Sequence, residues 1–300
     1  MIGATLSDLG LLVPELILVG MASMLVLAAR RIQRAPVAVV GTVLAALAAT
    51  LVAGWDLSGG TRTGFGGMIT LDGYSQFFKV LIGVTLALAA LLSVRSIDRD
   101  QVPRAEYHVL LLLASTGMML AVSALDLLVV YLGLELMTIC SYILVGIRVE
   151  RPTSNEAATK YFLLSSFASA LLLYGISLTY GVTGSTDFSA IAWALSEQDT
   201  GSNPLLLAAI GLVAAGLAFK VSAVPFHAWV PDTYQGASAP VAAFLAAGSK
   251  AAGLAVLGRV CLVAFGSEAD VLSVFLAGLA ALSIVVGSFI ALSQTDMKRL

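Results

Sequence analysis

Runs of about twenty apolar residues recur along this chain from end to end, and no other feature limits its fold so severely. A helix rises about 1.5 Å per residue, so a run of that length crosses a hydrocarbon core of about 30 Å. The runs fall at 9–29, 36–53, 74–94, 107–123, 127–147, 159–180, 204–224, 240–265 and 271–292. Inside a bilayer every backbone polar group needs an internal partner, which a helix supplies within its own segment. The expected fold is therefore all-α, a polytopic membrane helix bundle with about nine transmembrane helices. Hydrophobic residues make up 59% of the chain and charged residues 11%, far below the usual quarter of charged residues in soluble domains. The longest connections, 55–73 and 181–203, have room for a hairpin or an interfacial helix at most. No cofactor domain fits, and neither a metal site nor a nucleic-acid partner is expected. The first run has no Lys or Arg before it and no small-residue cleavage pattern after it, so it reads as a retained helix. Cys140 and Cys261 lie within runs and read as small buried hydrophobes.

The charges are sorted by side. With the N-terminus outside the cytoplasm, Arg30, Arg31, Arg34, Arg95, Arg99, Arg104, Arg148, Arg151, Lys160, Lys298 and Arg299 all fall on the cytoplasmic side, and only Arg62 falls in an outer loop. The outer connections carry Asp56, Asp72, Asp126, Asp187, Glu197, Asp199, Glu268 and Asp270. A Lys/Arg bias of this kind sets topology, and it is consistent with nine crossings. Glu15, Lys79 and Arg259 stand near run ends and are expected to reach the interface as snorkelling side chains. Tyr161, Tyr180, Trp193 and Trp55 are expected in the aromatic belts, and Lys160 reads as a cytoplasmic anchor.

Three charges stand too deep for that treatment. Lys220 and Lys250 lie inside two long apolar runs, separated by Pro225-Phe226-His227-Ala228-Trp229-Val230-Pro231-Asp232. A lysine at membrane depth is disfavoured by about 3 kcal/mol on insertion scales, so it faces a partner or a water-filled path. Each proline removes a backbone donor and breaks the helix, and the freed groups are tolerated only where protein or water satisfies them. Glu135 sits nine residues past Asp126, about 13.5 Å deeper by helical rise. Alone it would take up a proton; beside a lysine it can stay charged. The arrangement points to an ion path, with a structural ion pair as the plainer alternative. His227 suits either a proton relay or a cap for the freed carbonyls.

The stretch Glu156-Ala157-Ala158-Thr159-Lys160-Tyr161-Phe162, with Leu173-Tyr174-Gly175 and Tyr180-Gly181-Val182-Thr183-Gly184-Ser185, resembles the subunit N family of proton-pumping NADH:quinone oxidoreductase, respiratory complex I. The run from Ala218 to Ala237 is the more specific match. Its ending, Tyr234-Gln235-Gly236-Ala237, separates that family from other antiporter-like subunits and from multisubunit cation/proton antiporters, which share only the wider pattern. Gln294 to Leu300 resembles the family's turn after the ninth helix.

The resemblance implies a proton relay through Glu135, Lys220, Lys250 and His227, within an antiporter-like five-helix repeat that contains the broken helix. It divides the chain into an N-terminal three-helix region at 1–106, the first repeat at 107–265, and a ninth helix with the start of a second repeat at 266–300. Family members continue to about fourteen helices, so the sequence is expected to be a truncated or partial one. The resemblance places the chain in the cell inner membrane among other membrane subunits of complex I, with no cofactor of its own; NADH, FMN, iron–sulfur clusters and quinone belong to partner subunits. A subunit of a multisubunit cation/proton antiporter is the alternative, and an inert membrane scaffold a third reading.

Overall fold

The computed structural model describes residues 6–29, 35–197 and 203–299. Arg30, Arg31, Arg34 and Asp199, four of the charges used above for orientation, lie outside the described residues. Among the described residues, nine helices are long and apolar enough to cross a membrane: Gly10–Ala28, Val37–Ser58, Gly73–Asp100, Arg104–Ser123, Leu127–Val145, Pro152–Thr183, Pro204–Val221, Ala239–Ala264 and Gly266–Leu292. The all-α membrane bundle expected from the apolar runs is the fold observed. The third helix runs on to Asp100 and the sixth starts at Pro152, both well beyond their apolar runs; Asp72 caps the start of the third with a reciprocal Ser75 bond, and Pro152 sets the first turn of the sixth.

The connections gather at two ends. At one end, strands Arg62–Gly64 and Ile69–Leu71 form a small antiparallel hairpin with Arg62 opposite Leu71, turned by Gly66 and Gly67 at positive φ. Leu125 N–H donates to Met68 O at 2.8 Å, and Phe188 N–H to Leu125 O at 2.9 Å, tying three connections together. Three acidic residues of this end are helix caps. Asp72, Asp126 and Asp187 each accept backbone N–H groups at the start of a helix, as does Asn203. Their location thus follows from helix starts as well as from topology.

The other end is rich in arginine. Asp100 pairs with Arg151 at 2.7 Å and Arg148 at 3.2 Å, and Asp232 with Lys160 at 2.9 Å and Arg299 at 3.1 Å. Lys160 is therefore held by carboxylates, Glu156 among them, at the arginine-rich end.

Helices four and five cross on glycine. A methyl group on Gly117 would lie 2.6 Å from Gly133 O, and one on Gly175 would lie 2.7 Å from Val213 N where helices six and seven cross. Without lipid-excluding hydrophobic drive between apolar helices, such close backbone contact is what holds them. These crossings fix the helices that carry Glu135 and Lys220.

Four interface expectations are overturned. Glu15 and Lys79 do not snorkel: they are buried and form an ion pair at 2.8 Å between the first and third helices. Mutual neutralisation inside the bundle replaces the reach to water. Arg259 likewise turns inward, forking onto both Asp72 oxygens at 2.8 and 2.9 Å and lying over the Tyr74 ring. Tyr161 is buried and stacks on Trp229 at 4.5 Å, with planes 6° apart, instead of joining a belt. Trp55, Tyr180 and Trp193 are exposed.

Candidate proton-relay site

The seventh helix stops at Val221 because Ser222 adopts a left-handed backbone, φ 66°. The chain resumes as a helix only at Val230–Gly236. Lys220 thus occupies the last turn of a half-helix, where the partial negative charge of the C-terminus favours a cation. The freed backbone is satisfied by specific groups. Trp229 Nε1 donates to Phe219 O at 3.3 Å, Lys250 Nζ to Lys220 O at 3.2 Å, and Val224 N–H to Ser283 Oγ of the ninth helix at 3.0 Å.

Lys220 is 4% exposed and reaches Glu135 Oε1 at 3.6 Å. Its Nζ donates to Thr138 Oγ1 at 2.9 Å, Ser169 Oγ at 3.3 Å and Ser165 Oγ at 3.4 Å. Ser169 Oγ in turn donates to Glu135 Oε1. One hydroxyl therefore accepts from the ammonium and donates to the carboxylate, so a shift of two protons along existing hydrogen bonds would move one positive charge without moving a heavy atom. The hydroxyls also supply the polar contacts that a buried ion pair needs to offset desolvation.

Lys250 lies at the same level on the eighth helix. A π-turn at Leu245–Ser249 immediately precedes it and re-aims its side chain, as such bulges do at functional sites. Its Nζ donates to Ser222 Oγ as well as to Lys220 O, and sits 4.2 Å from the centre of the Trp229 ring. The two lysines are joined through a backbone carbonyl, which accepts a hydrogen bond but carries no proton to pass on.

Three of the four expected residues, Glu135, Lys220 and Lys250, come together. His227 does not join them by any hydrogen bond or ion pair among the described residues. Its Nδ1 is buried without a hydrogen-bond partner, and the carbonyls it was expected to cap belong to Trp229 and Lys250. Thr138, Ser165, Ser169, Ser222 and Trp229 were not foreseen as a group. The signal was present for three of them: Thr138 follows Glu135 by three residues, and Ser165 and Ser169 are four apart, so each pair shares a helix face.

The family described as "NADH:quinone oxidoreductase/Mrp antiporter, TM" matches residues 124–300. NADH-quinone oxidoreductase subunit N of Desulfovibrio desulfuricans is 43% identical over 98% of this chain and 59% of its own length. NADH-quinone oxidoreductase subunit N 2 of Rhizobium meliloti is 41% identical over 96% and 60%. The chain spans about three-fifths of the length of these relatives. A chain of respiratory complex I from Thermus thermophilus superposes with a TM-score of 0.79 at 35% identity, covering 96% of this chain and 60% of that one. The Mrp complex of Dietzia sp. DQ12-45-1b gives 0.75 at 22% identity, over 94% and 54%, a likeness of fold.

Proposed function

As a member of the transmembrane family shared by NADH:quinone oxidoreductases and Mrp antiporters, the chain is one that we propose relays protons as a membrane subunit of complex I. The observation that carries this is the Lys220–Ser169–Glu135 chain of donors and acceptors inside a bundle that is 43% identical to a subunit N protein over 98% of this chain. In a pair that only held helices together the hydroxyl would serve as a polar contact; here it also links the ammonium to the carboxylate in a single proton-passing direction.

In this reading Glu135 and Lys220 exchange a proton through Ser169. Lys250 receives it after the Lys220 side chain leaves its hydroxyl cradle, since the carbonyl between the lysines cannot transmit one. Redox subunits holding NADH, FMN, iron–sulfur clusters and quinone would drive that departure, and this chain would bind none of them. Its N-terminus would face away from the cytoplasm, with the arginine-rich end inward and the protein in the cell's inner membrane. His227 would act after a rearrangement that brings its free Nδ1 to Lys250.

NADH-driven proton uptake in membranes carrying the assembled complex tests the relay. Lys220→Met should abolish most of it while the complex still assembles. Wild-type uptake in an assembled Lys220→Met, Glu135→Gln complex would end the proposal.

A further inference from the structure

A second feature lies outside the relay, at the arginine-rich end. A cavity of about 1200 Å³ opens there beside helices five and six. Arg99, Arg148 and Arg151 line its mouth, and Ile139, Ile143 and Phe162 its wall. All three guanidiniums converge on one carboxylate, Asp100, whose side chain is fully buried. Arg148 is also committed to Gly236 O. Arg99 and Arg151 are 72% and 50% exposed and each spends one donor on Asp100, which leaves most of a guanidinium fork facing the cavity. Glu150 is the other acid on the lining, so three cations stand against two carboxylates. The surplus extends beyond the cavity: burial first, and then the Arg148 cation, push the Lys298 ammonium below its ordinary value.

The wall has a different character. Ile139, Ile143 and Phe162 are each half exposed and lie on membrane-spanning helices. Ile139 lies six residues inside the helix end at Val145, so the apolar strip runs about 9 Å along the helix from the charged mouth. At the top of the strip a methyl group on Gly146 would lie 2.8 Å from the Ala158 side chain, so the two helices meet there and close the cavity's back. A cationic fork above an apolar strip matches one kind of molecule, with an anion at one end and hydrocarbon at the other.

We propose that this cavity is a binding site for a single anionic phospholipid, its phosphate held by Arg99 and Arg151 and one acyl chain laid along Ile143, Ile139 and Phe162. Asp100 is a positioning residue that keeps the two forks side by side. The site is independent of the relay, so lipid binding persists in Lys220→Met.

The test is native mass spectrometry of the full chain released from nanodiscs holding equal phosphatidylglycerol and phosphatidylcholine. One phosphatidylglycerol should be retained in preference. Arg99→Gln with Arg151→Gln should cut that preference roughly 30-fold, which is about 2 kcal/mol for two arginines at a membrane surface. Ile143→Trp, which fills the wall and leaves every charge in place, should cut it too and serves if the arginine variant fails to fold. Arg62→Gln, at the opposite end, should leave it intact. An unchanged preference in the variants at the cavity overturns the proposal. So does displacement of the lipid by inorganic phosphate with no effect of Ile143→Trp, which would mean a free-anion site. Stoichiometric crosslinking of a cysteine at position 143 to a neighbouring subunit in the assembled complex would mean that a protein helix covers the wall, and would overturn it as well.

Discussion

Shortening the carboxylate at position 135 by one methylene is the sharpest perturbation of the relay. At 3.6 Å the attraction between Glu135 and Lys220 is about 4.6 kcal/mol at an effective dielectric of about 20. Retracting the carboxylate to about 5 Å leaves about 3.3 kcal/mol, so Glu135→Asp costs the coupling about 1.3 kcal/mol, close to tenfold in an equilibrium constant. Glu135→Gln removes the charge and with it the whole attraction. It keeps a side-chain oxygen for the Ser169 hydroxyl, so the hydrogen bond survives while the electrostatic drive does not. Initial rates of NADH-driven proton uptake in sealed membranes, normalised to assembled complex, should therefore fall in the order wild type, Glu135→Asp, Glu135→Gln, with the Asp variant within about tenfold of wild type. Adding Ser169→Ala to Glu135→Gln should cost little more, since both act on one link. An Asp variant as slow as the Gln variant would refute the distance argument. Wild-type uptake by Glu135→Gln would refute the role of the charge altogether.

Arg259→Ala strands the Asp72 carboxylate and should lower stability by about 3 kcal/mol, read as a drop in melting temperature, whereas the pair Asp72→Asn, Arg259→Met, which keeps the helix cap and removes both charges, should recover part of it. Burial would raise the Asp72 carboxyl, but the Arg259 fork and Ser75 outweigh it and hold it below its ordinary 3.8. Its stabilisation is therefore complete above that value and lost as pH falls through the lower folded one, and Asp72→Asn should flatten the acid limb of melting below about pH 4. Gly175→Ala drives a methyl into Val213 N at the crossing of helices six and seven and should destabilise by about 1–3 kcal/mol; unchanged melting would show that the helices part freely. Cysteines near Arg99 and Arg151 should be protected from an impermeant thiol reagent applied outside, and one near Asp187 should react; labelling of all three from one side would sink the orientation.

The bundle was legible because its signal is long: runs of about twenty apolar residues locate helices whatever their neighbours do. Glu135, Lys220 and Lys250 were legible because a charge at such depth is costly enough to demand a reason. Glu15, Lys79 and Arg259 were misread for the converse reason. Near a run's end, reaching water and finding a partner are equally cheap in sequence, and only the packing of helices one and three, or three and eight, decides between them. His227 shows the limit of a motif. Its neighbour Trp229 took the carbonyl, since an indole has one donor to place and a wide face to stack on Tyr161. The hydroxyls were missed because serine and threonine in apolar helices usually bond back to their own turn, as Thr138 and Ser141 do to Leu134 and Met137.

The ninth helix is nearly bare of contacts along its length, yet its Ser283 holds Val224 N–H inside the break, and the turn beyond it grips the helix on the far side through Gln235–Asp296, Arg299–Asp232 and Lys298 on the Ala237 carbonyl. Mechanically it is a lever arm, seated at its start by Leu272 and Leu276 and fastened at two further points that straddle a joint. A small tilt of this one helix is delivered to residues 222–229, the only part of the seventh helix without a rigid ladder of its own.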